Sequence, residues 1–161
     1  MIVSNSSPII ILGKQGKLEL FRKCFQKIII PISVYDEVMK KKNFPEAIAL
    51  ENAINNKWVI IEEITVSPLL QTLNLGKGEK EAISLAKKHS LILIIDDDSA
   101  KAYASILGVV AHGTLYVLYI SCIKKYINKN SIKEILEKMI IDGFYISTDI
   151  YSKFLELLDS V

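Results

Sequence analysis

The chain has 161 residues, of which 50% are hydrophobic, and its 20 basic and 18 acidic side chains give a formal net charge of +2. This length fits one ordinary domain. The nearly balanced charge excludes a protein whose whole surface is strongly basic and binds nucleic acid for that reason. The mean hydropathy of +0.30 favours a sheet covered on both faces, because the strands of such a sheet are apolar throughout.

Five stretches of the chain are predicted strands, because they are apolar or rich in β-branched residues and end at turn-forming or helix-starting residues. They are residues 2–3, 27–31, 58–62, 91–95 and 109–110. Helical spacing of apolar residues and helix-starting residues predict the helices between and after them. These helices are residues 7–16, 18–25, 33–42, 45–55, 67–75, 76–88, 98–107, 114–126 and 131–141, with a last helix from residue 148.

Two helix starts are predicted from capping residues. Ser7 followed by Pro8 is typical of an N-cap and a first helical position, and Ser131 with Glu134 forms a capping-box pattern. Strands that alternate with helices predict right-handed crossovers. We therefore expect a single domain over residues 1–161, a three-layer α/β/α sandwich with a mainly parallel central sheet.

Three features bear on the compartment of the protein. Cys24 and Cys122 lie far apart in no metal-ligand spacing, which predicts buried thiols in a reducing cytoplasm. The N-terminus lacks the basic and apolar regions of a signal peptide. Residues 102–123 carry no Asp, Glu, Lys or Arg and are long enough to span a bilayer, but Gly108 and Gly113 interrupt them. We expect a cytoplasmic protein in which this stretch forms a buried strand and a core helix, with a membrane span as the less favoured alternative.

Polar and acidic side chains follow several predicted strands. Asn5 follows the first strand, Glu37 lies one helical turn after the second, and Asp96, Asp97 and Asp98 follow residues 91–95 directly. In open parallel sheets, ligands bind outside the carboxyl ends of the strands. Consecutive aspartates repel one another unless a cation or a helix N-terminus offsets their charge. A helix N-cap explains Asp97 or Asp98, and metal binding is the favoured explanation for at least one of the others.

Two glutamates of the predicted helix 76–88 are further candidates. Glu79 lies at helical spacing from Ala82 and Ile83, which predicts a carboxylate that points inward to the strand ends. A favourable charge at the helix N-terminus explains Glu79 equally well. Glu81 shares a face with Lys88, so we expect a solvated carboxylate paired with lysine.

Clusters of carboxylates suit Mg²⁺ or Mn²⁺, because these ions prefer oxygen ligands and usually keep several waters. No His-x-x-His or Cys-x-x-Cys spacing is present to favour zinc, and His89 and His112 adjoin apolar residues, so we expect both to be structural. A bound Mg²⁺ or Mn²⁺ activates a water and neutralises charge on a phosphate. The expected chemistry is therefore hydrolysis of a phosphodiester.

Six segments, in this order along the chain, together resemble the PIN-domain nucleases, in particular their short prokaryotic, VapC-like members. They are VSNSSP at residues 3–8, IPISVYDEV at 30–38, GKGEKEAISLA at 76–86, LIIDD at 93–97, GTL at 113–115 and GFYIS at 143–147. The resemblance implies a PIN-like fold and a Mg²⁺- or Mn²⁺-dependent ribonuclease specific for single-stranded RNA. It also implies the toxin half of a toxin–antitoxin pair, and hence an antitoxin protein as a partner.

The resemblance further implies which residues form the site. The four positions of the family's acidic site, each catalytic and metal-binding, fall on Asn5, Glu37, Glu79 and Asp97. The accessory positions are Ser7 as the small hydroxyl residue, Glu81 as the alternative third acid, Asp96 and Asp98 beside Asp97, and Thr114 as an N-cap that borders the site.

Asn5 is where the chain departs from the family, which has aspartate at this position. An amide oxygen binds Mg²⁺ without contributing a negative charge, so we expect a weaker metal affinity and a reduced activity. A native but weakened or inactive homologue, an engineered substitution and compensation by other carboxylates all fit this departure. The alternative function is a catalytically silent PIN-like module that binds RNA or a protein. A receiver-like phosphoacceptor domain fits less well, because no aspartate ends the predicted strand 58–62.

Contacts to RNA and to a second copy of the chain are predicted from two further patterns. Lys40, Lys41 and Lys42 end the predicted helix that carries Glu37 and are the candidate RNA contacts, although such a run is more often a solvated helix end. The apolar stripe of residues 114–126, together with the resemblance, predicts a homodimer.

Overall fold

The computed structural model describes every residue of the chain, Met1–Val161. Its five strands are β1 Ile2–Ser4, β2 Ile28–Pro31, β3 Val59–Glu62, β4 Leu93–Ile94 and β5 Ala111–His112. Its ten helices are α1 Ser6–Lys14, α2 Glu19–Phe25, α3 Ile32–Met39, α4 Pro45–Asn55, α5 Pro68–Gln71, α6 Lys77–His89, α7 Asp98–Ile106, α8 Thr114–Ile123, α9 Lys129–Ile141 and α10 Thr148–Asp159.

The five strands form one sheet in the order β3-β2-β1-β4-β5, and every neighbouring pair is parallel. The central strand β1 pairs with β2 through Ile2 and Ile28, and with β4 through Ser4 and Ile94. The chain therefore builds the sheet outward on one side of β1 and then returns to build the other side. This reversal makes the carboxyl ends of β1 and β4 a topological switch point, which is where open α/β sheets bind ligands.

Side chains that alternate along the strands enter two separate hydrophobic clusters. Ile28, Ile30 and Ile94 pack with helices α1–α4 and α8–α10, whereas Ile29 and Leu93 pack with helices α5–α7. Helices thus cover both faces of the sheet, which confirms the predicted three-layer α/β/α sandwich. The sheet is parallel throughout, as the solidly apolar strands indicate.

The last strand lies later in the chain than predicted. Leu93 and Ile94 pair with Ala111 and His112, and Val110 contributes only its carbonyl, which accepts the Leu93 N–H at 2.9 Å. The N–H group of Val109 instead donates to the carbonyl of Ala104 at 2.8 Å and closes the end of α7. Because the Val109 N–H group bonds to the end of the helix, the hydrogen bonds between β4 and β5 begin after Val109.

Two predicted helix starts are also corrected. Helix α1 begins at Ser6 with Asn5 at the N-cap position, so that Ser7 lies inside the first turn. Helix α9 begins at Lys129, because the Asn128 side chain accepts the N–H of Ser131 at 2.8 Å and caps the helix earlier than expected. In both cases an asparagine upstream occupies the position assigned to serine.

No helix of the structure is both long and apolar enough to cross a membrane. Residues 102–123 divide between α7, β5 and α8, and α8 has only ten residues. The glycines that interrupt this stretch separate these elements, as the sequence predicts.

Candidate functional site

A cleft of about 400 Å³ opens at the carboxyl ends of the strands, and no hydrophobic residue lines it. Its walls come from the start of α1, from α3 and from the start of α6. The lining residues are Asn5, Ser6, Ser33, Asp36, Glu37, Lys40, Gly76, Lys77, Gly78 and Glu79. This cleft is called the acidic cleft below. It brings together three of the four predicted site residues, Asn5, Glu37 and Glu79.

Asn5 is placed by the central strand. Its N–H group donates to the carbonyl of Ile94 at 3.0 Å, which ties the end of β1 to β4. The residue is buried, with 6% of its surface exposed, and its side chain makes no capping hydrogen bond to α1. A Cβ atom at Gly78 would lie 3.4 Å from the Asn5 Oδ1 atom and 3.2 Å from the Val34 Cγ2 atom. Glycine at position 78 therefore lets α6 approach the end of β1 closely.

Glu37 faces the acidic cleft because of the pattern of α3. Val34 and Val38 are buried in the core, and this turns the face that carries Asp36 and Glu37 toward the cleft. The Glu37 carboxylate is exposed. The chain offers no hydrogen-bonding or ion-pair partner to the Glu37 carboxylate or to that of its exposed neighbour Asp36, so both stand ready for a ligand.

Glu79 lines the acidic cleft but bends back over the start of its own helix. Its Oε2 atom accepts the N–H of Gly76 at 2.8 Å, which satisfies one of the free donors of the first turn of α6. Glu79 therefore fits both roles that the sequence predicts, since it is a carboxylate of the site and also a favourable charge at a helix N-terminus.

Glu81 is not the solvated side chain that the sequence predicts, and that prediction is wrong. The residue is 6% exposed and its Oε2 atom accepts a short hydrogen bond from the hydroxyl of Ser33 on α3. The nearest cation, the Lys77 Nζ atom, lies 4.0 Å from its Oε1 atom. The reason is that Leu85, one turn further along α6, is fully buried and turns this face of the helix inward.

The three consecutive aspartates have three different environments. Asp96 accepts hydrogen bonds from the Thr114 N–H and hydroxyl, both at 2.7 Å, and from the Ser7 hydroxyl at 3.1 Å. Asp97 accepts the N–H of Ala100 at 2.7 Å and is the N-cap of α7. Asp98 has a fully exposed side chain. Asp96 is therefore the aspartate that bridges the starts of α1 and α8, whereas Asp97, the predicted fourth acid, caps a helix outside the acidic cleft.

The environment of Asp96 also corrects the role of Thr114. Gly113 is the N-cap residue of α8, and Thr114 is a fully buried residue that holds Asp96. A Cβ atom at Gly113 would lie 2.9 Å from the Asp96 Oδ1 atom and 3.3 Å from the Lys101 Nζ atom. Only glycine fits there without displacing these groups. Asp96 was identifiable from the sequence, because assigning the helix cap to Asp97 leaves Asp96 as the residue next to the strand.

Of the three lysines predicted to contact RNA, one lies in the acidic cleft. Lys40 lines the acidic cleft, Lys41 lies over the ring of Phe44 at 4.9 Å, and Lys42 is exposed outside the cleft. Lys77, which the sequence analysis did not single out, lines the cleft from the opposite wall. Two cations therefore flank the carboxylates of the cleft.

His112 is held as a neutral, packed side chain. Burial first, and the nearby charge of Lys101 second, lower the pKa of its imidazole below the usual 6.5. Its ring stacks on that of Tyr116, with 4.0 Å between the ring centroids. This agrees with the structural role expected from the sequence.

The donor chemistry of the site fits a hard divalent cation. The oxygen donors at the switch point are amide, carboxylate and hydroxyl groups, and Mg²⁺ and Mn²⁺ prefer such oxygen ligands. No three acidic, histidine or cysteine side chains lie together as a preformed metal cluster. Glu79, Glu81 and Asp96 are each held by an N–H or O–H donor of the chain, which orients their carboxylates. Because a carboxylate has about four acceptor sites, each of them keeps capacity for an ion.

Comparisons with known proteins agree with this architecture. A family model described as DUF3368, PIN domain, matches residues 1–160. The structure is similar to that of a PilT N-terminus domain protein from the hyperthermophilic archaeon Sulfolobus solfataricus P2, with a TM-score of 0.50 and 23% sequence identity over 73% of this chain and 89% of that one. No curated protein matches the sequence. At this identity, the likeness to the archaeal protein supports the fold alone.

Proposed function

The chain belongs to the PIN-domain family, whose members are typically nucleases that use divalent metal ions, and on that premise we propose that it is an endoribonuclease. The proposed enzyme depends on Mg²⁺ or Mn²⁺ and cuts single-stranded RNA. Its activity is weakened by Asn5, because this residue stands at the first acidic position of the family. The observation that carries the proposal is the acidic cleft at the switch point of the sheet, where two lysines flank oxygen donors.

Four positions would hold the metal ion: Asn5, Glu37, Glu79 with Glu81 as the alternative third acid, and Asp96. Asp96 takes the place of Asp97 in this set, because Asp97 caps α7 whereas Asp96 reaches the starts of α1 and α8. When bound, the ion supplies an activated water and neutralises charge on the phosphate in the transition state.

The other side chains of the site position these ligands and the substrate. The hydroxyls of Ser7 and Thr114 orient the Asp96 carboxylate, and the Ser33 hydroxyl orients that of Glu81. Lys40 and Lys77, on opposite walls of the cleft, attract the phosphates of the RNA and keep its backbone between them. The cleft thus offers oxygen ligands for the metal ion and lysines for the RNA phosphate beside it.

Calorimetric titration of Mn²⁺ into the chain and into its Asn5→Asp variant tests the metal site. We expect binding to both, tighter in Asn5→Asp on the order of tenfold, which corresponds to about 1.4 kcal/mol. Glu37→Gln should weaken binding, whereas Glu51→Gln, which changes an exposed glutamate of α4 outside the cleft, should not. Absence of binding to both proteins would end the metal-dependent proposal.

A catalytically silent module that binds RNA or a protein is the second candidate, and Asn5 together with the hydrogen-bonded carboxylates favours it. Cleavage assays on single-stranded RNA separate the two candidates. If Asn5→Asp cuts RNA and the added change Glu37→Gln abolishes cutting, the site is that of a nuclease. If Asn5→Asp binds Mn²⁺ but leaves RNA intact, the silent module is correct.

We further propose that the chain acts in the cytoplasm as the toxin of a toxin–antitoxin pair and forms a homodimer. The family resemblance supports the toxin role, and Ile123 and Tyr126, which are 45% and 44% exposed at the end of α8, support a self-contact. A small antitoxin-like reading frame beside that of the chain would favour the toxin role. A monomeric mass by light scattering at micromolar concentration would exclude the homodimer.

A further inference from the structure

A second cleft, of about 520 Å³, adjoins the candidate site on the other side of Asp96. One wall is formed by Phe144, Tyr145 and Ile146 of the loop between α9 and α10, and the other by Asp96, Lys101 and Gly113. We propose that this aromatic cleft binds one unpaired nucleotide of a single-stranded RNA, with its base on Tyr145 and its phosphate at Lys101. The inference rests on the proposed function, because it assigns a subsite to the same RNA strand.

One aromatic ring of this wall, that of Tyr145, takes no part in the hydrophobic core. Tyr145 is 88% exposed, whereas its neighbour Phe144 packs against the main core. The loop is anchored on both sides, by the bond from the Phe144 N–H to the Met139 carbonyl at 2.9 Å and by the Ser147 side chain that caps α10. An exposed tyrosine on an anchored loop is a stacking surface for an unpaired base, since every base has a face that an aromatic ring can contact.

The charged wall supplies a cation that a phosphate can reach. The Lys101 Nζ atom lies 3.6 Å from the Asp98 Oδ1 atom, and the Asp98 side chain is fully exposed. Such surface pairs contribute little energy, so Lys101 can exchange this partner for a phosphate. Because Gly113 has no side chain, nothing at this position separates the Lys101 amine from the Asp96 carboxylate.

Asp96 joins the two clefts. It lines the aromatic cleft and also accepts the hydroxyl of Ser7, next to Ser6 in the acidic cleft. A nucleotide bound between Tyr145 and Lys101 therefore lies beside Asp96, one of the proposed metal ligands. A base within a duplex is already stacked and paired, so the subsite selects single-stranded RNA.

Fluorescence anisotropy with a short single-stranded oligoribonucleotide, measured in a metal chelator so that nothing is cut, tests the subsite. We expect Tyr145→Ala to weaken binding about 5- to 150-fold, the range given by the loss of one base–aromatic stack, and Tyr145→Phe to retain binding. Tyr103→Ala is the matched control, because Tyr103 is a partly exposed tyrosine of α7 that lines neither cleft. A duplex of the same sequence should show no dependence on Tyr145.

The salt dependence of binding tests Lys101. Lys101→Gln should reduce the slope of log affinity against log salt by about 0.7, the value for one phosphate contact to a single strand. Lys153→Gln is the control, because Lys153 also pairs with an exposed aspartate on its own helix but lies outside the cleft. An unchanged slope in Lys101→Gln would remove this residue from the subsite.

The outcomes separate this inference from the proposed function. RNA binding that depends on Tyr145, without cleavage by Asn5→Asp, overturns the nuclease and supports the subsite. Cleavage by Asn5→Asp with an RNA affinity that Tyr145→Ala does not change overturns the subsite and supports the nuclease. If Tyr145→Ala alters the mass by light scattering but not the RNA affinity, the loop is a protein contact and the inference is wrong.

Discussion

Asp96 is the residue through which three distant parts of the chain meet. Its two oxygens accept the Ser7 hydroxyl and both donors of Thr114, residues that begin α1 and α8. Hydrogen bonds to a charged group contribute about 1.5–3 kcal/mol each, so this carboxylate both orders the site and stabilises the fold. A metal ligand held in this way is oriented before the ion arrives.

Removing one of these donors should destabilise the protein measurably. Thr114→Val deletes the hydroxyl that donates to Asp96 at 2.7 Å and keeps the shape of a fully buried side chain. We expect the free energy of unfolding to fall by about 1.5–3 kcal/mol, measured by urea denaturation.

Thr72→Val is the matched control for this prediction. The Thr72 hydroxyl donates to the Leu69 carbonyl at 2.8 Å but is exposed, so water replaces the lost partner and we expect little change. Equal effects of the two substitutions would contradict the role assigned to Thr114.

His112 makes stability depend on pH in a defined direction. Because its pKa is lowered in the folded state, mainly by burial, the unfolded chain binds more protons just below about pH 6.5, the usual pKa of histidine. The stability that neutral His112 provides is thus complete above this pH and is lost as the pH falls toward the folded-state pKa.

The corresponding experiment compares the chain with His112→Gln by urea denaturation at about pH 7.5 and about pH 5.5. The variant loses the stack on Tyr116 at both values, but we expect it to lose less stability on acidification than the parent. Parallel pH profiles for the two proteins would show that His112 does not titrate in this way.

Helices α3 and α6 form opposite walls of the acidic cleft, and two close contacts set their separation. Gly78 lets α6 approach Val34 of α3, and Ser33 on α3 donates to the buried Glu81 on α6. The site is therefore shaped by how these two helices pack against each other as much as by the strands that lead into it.

The contact between the two helices can be tested with a pair of serines. Ser33→Ala leaves the Glu81 carboxylate buried without its hydroxyl donor, and we expect a loss of about 1–3 kcal/mol in the free energy of unfolding. Ser84→Ala is the control, because the Ser84 hydroxyl donates to a carbonyl of its own helix. The added change Glu81→Gln, which removes the buried charge, should recover part of the loss in Ser33→Ala.

Most elements were predictable from the sequence because their causes are local. Apolar runs, helical spacing and capping residues depend on near neighbours, and four of the five strands and all ten helices overlap predicted segments. The burial of Glu81 was not predictable in this way, since its hydroxyl donor, Ser33, lies on α3. The N-cap role of Asp97 is local and singles out Asp96, but the partner that holds Asp96, Thr114, belongs to a later helix.

At the scale of the whole molecule, one sheet joins two unequal clusters of hydrophobic side chains. The larger cluster has 26 buried residues on one face, and the smaller has 12 on the other. Adjacent residues of the same strand, such as Ile28 and Ile29, enter different clusters. Neither cluster can therefore lose its packing without disturbing the strands that support the other.

This coupling predicts one cooperative unfolding transition. Trp58, the single tryptophan of the chain, is 5% exposed just before β3 and reports on the larger cluster. We expect its fluorescence and the helical circular dichroism to change at the same urea concentration. Leu85→Ala, in the smaller cluster, should lower the free energy of unfolding by about 2–5 kcal/mol. Both signals should then change together at a lower urea concentration. Two separated transitions would contradict a single domain over residues 1–161.

The hydrogen bond between Ser7 and Asp96 joins positions 89 residues apart, and Asp96 obtains its other partners only from Thr114. During synthesis the first strand leaves the ribosome long before its neighbour β4, and α8 follows later still. An incomplete chain that ends before Thr114 thus has Asn5 and Glu37 but lacks the wall that orders Asp96. On the proposal that the chain is a ribonuclease, the donors that order its metal ligand Asp96 are therefore complete only after Thr114 has left the ribosome.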